Sequence, residues 1–394
     1  MNADPRFDPI IERRDTHCVK WDGMEGLYGV PKADGLAMWV ADMDFRPPQC
    51  ILDIVAKQLD HGIVGYFGND GPYREAIQWW MSTRHGWDVE ADAIFTTHGL
   101  VNGTAMCVDT WTQAGDGVVL FTPVYHAFAK VIKANDRRVV ECELAYDDTR
   151  YTCDFDAWDA VVEREGAKMM VLCSPHNPNG RVWTQEELEG FAAFARRHDL
   201  ILVSDEIHHD LVYPGHTHTP TALIPGIEDR LVMMTATTKT FNIAGAHSGN
   251  VIVHDPDLRA QFAKRMLALG TSPNSFGLFM AMAAYSPEGA AWVDDLMIYL
   301  DGNRKVFDDG INAIPGLRSV PLEATYLSWV DFDGTGMARE EFTRRVEQDA
   351  KIAANHGPTF GKGGDNFLRF NIATPRANVE DAVARLQKAF GDLQ

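Results

Sequence analysis

Short apolar runs alternate with longer amphipathic stretches through the middle of the chain, from about residue 94 to residue 255. Runs of four to eight mainly apolar residues, bounded by turn-forming residues, are typical of buried β-strands. The runs are IFTT (94–97), VVLF (118–121), MMVLC (169–173), LILV (200–203), LVMM (231–234) and NVIV (250–253). We therefore predict a β-strand at each of them.

One amphipathic stretch, residues 184–199, lies between the third and the fourth run. Thr184 and Glu187 form a capping-box pattern, which predicts a helix start. Apolar side chains then recur at helical spacing, at Leu188, Phe191, Ala192 and Ala195. Strand, helix and strand in this order predict an α/β fold with a mostly parallel sheet between helices. Ligands on such sheets bind beyond the carboxyl ends of the strands, so the residues after each run are candidates for a site.

The pattern changes towards the two ends of the chain. Residues 51–59 have helical spacing after Pro47 and Pro48, and residues 290–314 form a longer helical stretch. Two strand-like segments follow it, at 325–332 and 367–373. We therefore expect a large domain and a smaller α+β domain. The expected parts are an N-terminal segment that packs with the small domain (1–45), the large domain (46–285) and the small C-terminal domain (286–394).

Composition narrows the class of protein. The chain has 394 residues and a formal net charge of −20, which disfavours nucleic acid and anionic membrane surfaces as partners and favours a small-molecule enzyme. The six cysteines are scattered without a CxxC pair, which predicts reduced thiols. The N-terminal residues are charged, and no apolar run is long enough to span a bilayer, so we expect a cytoplasmic protein.

Lys239 follows the fifth run and stands in an uncharged neighbourhood of Thr237, Thr238, Phe241 and Ile243. Such a lysine is either a solvated surface side chain or an amine held for covalent chemistry. The sequence window alone leaves both interpretations open.

Four other runs are also followed by residues that can carry chemistry. Gly99 precedes a predicted helix start that could seat a phosphate, and Tyr125 offers an aromatic face. Asn177 offers an amide and Asp205 a carboxylate. Each also has a plain structural interpretation: a tight turn, a core tyrosine, a β-turn and a helix N-cap. Together with Lys239, the five match what a phosphorylated pyridine aldehyde requires.

The chain resembles the pyridoxal-phosphate-dependent aspartate aminotransferase superfamily (fold type I, class I/II), and more closely its MalY/PatB-like cystathionine β-lyase branch. The resemblance covers nearly the whole length and implies the α/β fold of these enzymes. The motifs stand in the family's order: KWD (20–22), WVADMDF (39–45), HGIVGYFG (61–68), PVYHAF (123–128), SPHNPNGRVW (174–183), SDEIHHDLV (204–212), KTFNIAG (239–245) and TYLSW (325–329).

The resemblance implies pyridoxal 5′-phosphate as the cofactor and assigns residues to it. Lys239 would form the imine with the cofactor, and Asp205 would pair with the pyridinium nitrogen. Asn177 would bond the ring hydroxyl oxygen, and Tyr125 would stack on the ring. The remaining contacts implied are His208 near the same oxygen and a phosphate seat formed by Gly99, Leu100, Val101 and Thr238.

The resemblance also implies how substrate and a second subunit take part. Arg369 would clamp the substrate carboxylate, and Ala41 would lie against the substrate. The alternation in FLRFNIA puts Arg369 and Asn371 on a polar face of the strand, although a surface arginine on an edge strand is the other interpretation. Tyr66 would reach the phosphate of the neighbouring subunit, which implies a homodimer and a catalytic role for Tyr66 beside Lys239 and His208.

Two features qualify the resemblance. Eight residues after Lys239, aminotransferases usually carry a phosphate-binding arginine, and this chain has His247, which weakens the aminotransferase interpretation. Histidines also cluster near residue 210, as a zinc site would require, but their spacing matches no ligand frame, so we predict no metal. The members of the cluster are His208, His209, Asp210, His216 and His218.

The resemblance implies a C–S β-lyase that cleaves L-cystathionine or related β-thio amino acids to a thiol, pyruvate and ammonia. Two alternatives remain open. The first is a class I/II aminotransferase, which would need a second keto-acid substrate. The second is a cofactor-bearing regulatory protein that acts through a protein partner.

Overall fold

The computed structural model describes residues 4–393, and strands alternate with helices through its middle part. The α-helices are α1 (Val19–Asp22), α2 (Met24–Tyr28), α3 (Gln49–His61), α4 (Gly71–His85), α5 (Leu100–Trp111), α6 (His126–Ala134), α7 (Phe155–Glu165), α8 (Gln185–Arg197), α9 (Thr237–Thr240), α10 (Pro256–Leu269), α11 (Ser275–Ala284), α12 (Pro287–Asn312), α13 (Arg339–Arg344) and α14 (Arg376–Ala389). The β-strands are β1 (Leu36–Ala37), β2 (Ile94–Thr97), β3 (Gly117–Thr122), β4 (Arg138–Glu143), β5 (Ala145–Tyr146), β6 (Tyr151–Thr152), β7 (Ala167–Cys173), β8 (Ile201–Asp205), β9 (Leu231–Thr235), β10 (Gly249–Ile252), β11 (Arg318–Ser319), β12 (Leu327–Asp331), β13 (Ile352–Ala353), β14 (Asn355–His356) and β15 (Phe367–Asn371).

A seven-stranded sheet in the order β2-β10-β9-β8-β7-β3-β4 forms the centre of the large part of the molecule. Strands β4, β3, β7, β8 and β9 pair in parallel, and β10 runs antiparallel to both of its neighbours. The predicted α/β class with a mostly parallel sheet is confirmed. All six predicted strands are present, and the pattern missed β4 at the edge of the sheet.

Helices cover both faces of this sheet because alternate side chains of each strand face opposite sides. Along β3, Val119 and Phe121 belong to one apolar core, whereas Val118 and Leu120 belong to another. Helix α8 packs on the first face, where Phe191 lies 4.8 Å from Phe121 between ring centroids. The capping box predicted at its start is present, since Thr184 Oγ1 accepts from Glu187 N and the Glu187 carboxylate accepts from Thr184 N.

A four-stranded antiparallel sheet, in the order β11-β12-β15-β14, forms the centre of the C-terminal part. The N-terminal segment joins this part: β1 pairs in parallel with β13, and Asn371 N donates to Met38 O over 2.7 Å. These contacts attach residues 36–38 to the C-terminal part. The division of the chain at residues 46 and 286 stays a prediction.

Two further expectations concern the whole chain. Within residues 4–393, no helix combines the length and apolarity needed to cross a membrane. All six cysteines, which lie in the described part of the chain, are free thiols.

Candidate active site

The carboxyl ends of the parallel strands open onto a cavity of about 240 Å³. Asp205 ends β8, Asn177 and Tyr125 follow β7 and β3, and Lys239 follows β9. This convergence is the one expected for parallel strands, whose carboxyl ends meet at one edge. The predicted residues that line this cavity are Ala41, Gly99, Leu100, Val101, Tyr125, Asn177, Asp205, His208, Thr238 and Lys239.

One end of the cavity is the start of helix α5. Gly99 is its N-cap, with φ 85° and ψ 167°, a backbone conformation that side-chain-bearing residues rarely adopt. The N–H groups of Leu100 and Val101, in the first turn, have no intrahelical acceptor and carry the positive end of the helix dipole. Gly249 packs beside them, and a Cβ there would lie 2.6 Å from Leu100 Cδ2. The result is a seat for an anion.

Lys239 lies on the short helix α9, between the anion seat and the N-terminal segment. Its Nζ donates a 2.6 Å hydrogen bond to the main-chain oxygen of Ala41. Burial lowers the pKa of Lys239 to about 8, and the positive charge of Arg369 adds to this effect, while Asp42 and Asp205 oppose it. With this pKa, about one tenth of the amine is unprotonated at pH 7, far more than for an ordinary lysine, so it can act as a nucleophile and a base.

Asp205 is a buried carboxylate on the other side of the cavity. Its Oδ1 accepts a 3.1 Å hydrogen bond from Ile207 N, so it caps a turn and not a helix. Burial raises the pKa of Asp205 to about 7, and the charge of Glu206 raises it further, against the effects of Lys239 and His209. A cationic group in the cavity would favour the ionised form of this acid.

Arg369 lies beside Asn177 and lines a second, adjoining cavity. Its Nη1 donates to Asn177 Oδ1 over 2.9 Å, and its Nη2 donates to Trp39 O over 2.8 Å and to Asn355 Oδ1 over 2.6 Å. The interpretation as a surface arginine on an edge strand is wrong, because β15 lies between β12 and β14 and Arg369 is 2% exposed.

The guanidinium of Arg369 has spare capacity for a negative ligand. It forms no ion pair with a carboxylate of residues 4–393, and its Nε is buried without a hydrogen-bond partner. Burial lowers the pKa of Arg369 to about 10. A ligand carboxylate could pair with it in bidentate geometry and restore the charge balance.

Two aromatic rings and an imidazole complete the wall around these groups. Tyr125 is half-buried and lines both cavities. His208 is buried, its Nδ1 lacks a partner within the described chain, and burial holds its pKa well below the usual value, so the ring is neutral. Tyr326 lies edge-on to His208 at 6.1 Å, and its hydroxyl donates to Ala41 O over 3.1 Å.

Tyr66 is the predicted site residue that lies elsewhere. Its side chain is fully exposed and borders a separate surface groove with Ile63, Val64, Phe67 and Phe279. Within one chain it does not reach the cavity of Lys239, so its role from a neighbouring subunit stays a prediction.

His247 lines the cavity near the anion seat, at the position where aminotransferases usually carry an arginine. The side chain is exposed, and its backbone φ of 45° lies in the left-handed region.

The histidines that lie close together in the sequence near residue 210 have different partners in the folded chain. His209 and Asp210 meet His85, which comes from α4, whereas His218 pairs with Glu206 at 2.8 Å. Asp210 already accepts hydrogen bonds from Trp80 Nε1, His85 Nε2 and Thr240 Oγ1, at 2.8 to 2.9 Å. These donors explain the burial of the carboxylate without an ion. The absence of a metal stays a prediction.

Sequence reasoning missed some side chains that border the site. Tyr326 and Asn355 belong to the C-terminal part, and Tyr28 belongs to α2. Asn355 and Tyr28 are in contact, since Asn355 Nδ2 donates to Tyr28 Oη over 3.1 Å. Tyr326 stands in the motif TYLSW, which was the available signal; Asn355 and Tyr28 stand in no motif that we could interpret.

Comparisons with known proteins show the family of the chain and its fold. The family model described as aminotransferase class I and II matches residues 40–386. Cystathionine beta-lyase PatB of Bacillus subtilis (strain 168) is 36% identical over 386 residues, 97% of this chain and 99% of that protein. Protein MalY of Escherichia coli (strain K12) is 32% identical over 388 residues, 97% of this chain and 98% of that protein. The crystal structure of cystalysin from Treponema denticola, which contains a pyridoxal 5′-phosphate cofactor, has a TM-score of 0.94 and 35% identity and covers 100% of both chains.

Proposed function

We propose, since the chain belongs to the aminotransferase class I and II family, that it is a pyridoxal-phosphate-dependent C–S β-lyase acting on L-cystathionine or related β-thio amino acids. One observation carries the proposal. A half-buried lysine with a lowered pKa shares one cavity with a helix-start anion seat, an aromatic face and a buried acid, in a chain that is similar to cystathionine β-lyases along its whole length.

The residues of the cavity fit pyridoxal 5′-phosphate. The first turn of α5 and Thr238 would hold the phosphate, and Asp205 would face the ring nitrogen, whose positive charge would balance this buried acid. Asn177 would bond the ring hydroxyl oxygen, Tyr125 would cover the ring, and the Lys239 amine would attach to the carbonyl carbon. When bound, this cofactor supplies a sink for the electrons that remain when a substrate loses its α-proton.

Arg369 would position the substrate by its α-carboxylate. Its two terminal nitrogens are already directed by Asn177, Trp39 and Asn355, so the guanidinium is held rigidly before substrate binds. A rigid, buried cation adjoining the Lys239 cavity fixes which side of the substrate faces the amine.

The substrate's amino group would displace Lys239 from the cofactor, and the freed Nζ would then take the α-proton. Ala41 O holds this nitrogen in place, and the pKa of about 8 gives a base that is both available and strong enough near neutral pH. The bond between the β-carbon and sulfur then breaks, and the thiolate receives a proton, for which Lys239 is the nearest source. Addition of water completes the reaction to one thiol, one pyruvate and one ammonium ion per substrate.

The missing arginine after Lys239 changes how phosphate would be held. The imidazole of His247 lacks the planar fork of donors that a guanidinium offers, so binding would rely on the N–H groups of α5 and on the Thr238 hydroxyl. This arrangement is one reason for placing the chain with the lyases and not with the aminotransferases.

We also propose a cytoplasmic homodimer in which Tyr66 of each chain acts at the site of the other. The exposed apolar side chains Ile63, Val64 and Tyr66, beside the groove formed with Phe279, support a subunit contact there.

The test of function uses purified protein with L-cystathionine and without a keto acid. We expect continuous release of pyruvate and free thiol, and a loss of about 10²–10⁴-fold or more in the Lys239→Ala variant. The Lys168→Gln variant, which changes an exposed lysine at the opposite end of β7, is the matched control and should keep the wild-type rate. A single half-turnover that stops without pyruvate would indicate an aminotransferase instead.

A further inference from the structure

A second cavity, of about 710 Å³, adjoins the Lys239 site and shares Ala41, Tyr125 and Lys239 with it. One wall is a single face of helix α6. The residues of that face recur at i, i+3, i+4 and i+7: His126, Ala129, Lys130 and Lys133. Because Lys239 and Arg369 border the same space, a substrate held at Arg369 would extend its β-substituent along this wall.

The charge of this cavity differs from that of the molecule. The chain has a formal net charge of −20, yet the residues lining the cavity include lysines and an arginine and no aspartate or glutamate. Lys130 and Lys133 are exposed, and within residues 4–393 neither forms an ion pair. Two unpaired ammonium groups on one helix face therefore point to an anionic ligand group.

Two carboxylates close to residues of the cavity lining already have partners. Asp42, which lies close enough to Lys239 to affect its pKa, is paired with Arg13 at 2.9 Å. Glu347, behind the cavity wall, is paired with His356 at 2.5 Å. These carboxylates do not neutralise the lysines of α6.

The rest of the lining suits a short apolar chain. Tyr28 and Trp39 form an aromatic part of the lining, with ring centroids 5.2 Å apart, and Ala129 adds only a methyl group. His126 adds no charge, because burial lowers its pKa to about 4, helped by Arg369 and Lys130. A β-substituent with an apolar stem and an anionic end would match the apolar and the cationic residues of this lining.

We propose that this cavity binds the leaving thiol and selects S-substituted L-cysteines whose β-substituent carries a carboxylate without a compensating ammonium group. Lys130 and Lys133 are the residues that determine this specificity. The inference rests on the proposed β-lyase function, and the reaction is the same elimination: the C–S bond breaks and the carboxylate leaves as part of the thiol.

The test compares three substrates of nearly equal size: S-(2-carboxyethyl)-, S-(2-carbamoylethyl)- and S-(2-aminoethyl)-L-cysteine. Pyruvate release gives kcat/KM for each. We expect the acid to exceed the isosteric amide by about tenfold, mainly through KM, and the amine to fall below the amide. Raising the ionic strength should reduce the advantage of the acid, because the two lysines are exposed.

The double variant Lys130→Gln/Lys133→Gln should bring the acid-to-amide ratio to about one, since two charges are removed with little change in side-chain length. The ratio is measured within one protein preparation, so a partial loss of folded protein does not affect it. Lys168→Gln, which changes an exposed lysine at the opposite end of β7, is the surface-lysine control and should keep the wild-type ratio.

The outcomes separate the two proposals. If acid and amide release pyruvate equally well from the wild-type protein, or if the preference survives in the double variant, the charge selection is wrong and the β-lyase function stands. If none of the three compounds and no L-cystathionine yields pyruvate, the proposed function itself is overturned, and this inference falls with it.

Discussion

Buried ionisable groups with too few partners mark the site at the scale of single residues. Burial raises the pKa of Asp205 to about 7 and lowers the pKa of Lys239 to about 8. Arg369 is a buried guanidinium that has no carboxylate partner in the described part of the chain. Such groups lower the stability of a protein unless a ligand compensates them. Their grouping in one place indicates a charged ligand and leads to two predictions.

The first prediction concerns the stability of the cofactor-free protein. The folded-state pKa of Asp205, about 7, lies above its ordinary value of 3.8, so the folded protein binds a proton more tightly than the unfolded chain between those two pH values. This carboxyl therefore lowers stability as pH rises from about 4 to 7. We expect Asp205→Asn to raise the free energy of unfolding of the cofactor-free protein by roughly 2–4 kcal/mol at pH 8 and to have little effect at pH 4.

Urea unfolding of both cofactor-free proteins across this pH range measures the difference. The same variant should bind the cofactor more weakly and lose most of its lyase activity, because the ring nitrogen loses its anionic partner. Equal stabilities at pH 8 would mean that Asp205 does not carry an unfavourable buried charge.

The second prediction concerns Lys239 in the cofactor-free protein. Only the unprotonated amine can attack the aldehyde of pyridoxal phosphate, and its pKa is about 8. The rate of covalent attachment, followed by absorbance after rapid mixing, should rise about tenfold per pH unit below pH 8 and level off above it. A rate that still rises steeply between pH 9 and 10 would place the pKa at the ordinary lysine value and contradict the effect of burial.

At the scale of elements, a buried carboxylate links the segment after β8 to the helix that carries Lys239. Thr240 Oγ1, in α9, donates to Asp210 Oδ2 over 2.8 Å, and the Asp210 side chain is completely buried. We expect Thr240→Val to lower the free energy of unfolding by about 1–3 kcal/mol, because a buried charged acceptor loses one of its donors. The activity should fall as well, since α9 loses a contact next to Lys239.

The matched control is Thr104→Val. Thr104 is also buried, and its hydroxyl donates to Leu100 O over 2.9 Å, within its own helix. That carbonyl retains its helical hydrogen bond in the variant, so the expected loss is below about 1 kcal/mol. Denaturant unfolding of the two variants distinguishes the loss of a buried charge partner from the loss of any buried hydroxyl.

The elements also show what sequence can and cannot predict. The buried strands are recognisable because apolar runs of this length leave few alternatives, whereas β4 was missed. It has the sequence RVVECE, with charged residues at both ends, and pairs with β3 alone at the edge of the sheet. The positions that follow the predicted strands identified residues of the large sheet that line the cavity. They could not predict Tyr326 or Asn355, which depend on packing between sheets that are distant in sequence.

At the scale of the whole molecule, three parts of the chain line the larger cavity of about 710 Å³. The N-terminal segment contributes Trp39 and Ala41, the central sheet contributes Tyr125 and Lys239, and the C-terminal sheet contributes Arg369. Activity therefore depends on how these parts are held together, and pairing of β1 with β13 is one such contact. In the proposed dimer, a second chain would close the site further.

Subunit complementation tests this arrangement. If Tyr66 acts at the neighbouring site, a hybrid of a Lys239→Ala chain and a Tyr66→Phe chain contains one site with both native residues, because the first chain supplies Tyr66 to the lysine of the second. Hybrids isolated by two different affinity tags should then have about half the wild-type activity per dimer, whereas each parent homodimer is impaired.

The matched control is a hybrid of Lys239→Ala with Asp205→Asn. Both residues line the cavity of the same chain, so neither site of that hybrid is complete and no activity should return. Recovery with Tyr66→Phe and none with Asp205→Asn would place Tyr66 across the interface. The contrary result is a hybrid of Lys239→Ala with Tyr66→Phe whose activity is no more than half that of the Tyr66→Phe homodimer. In that case Tyr66 does not serve the neighbouring site, and its full exposure on the single chain needs another explanation.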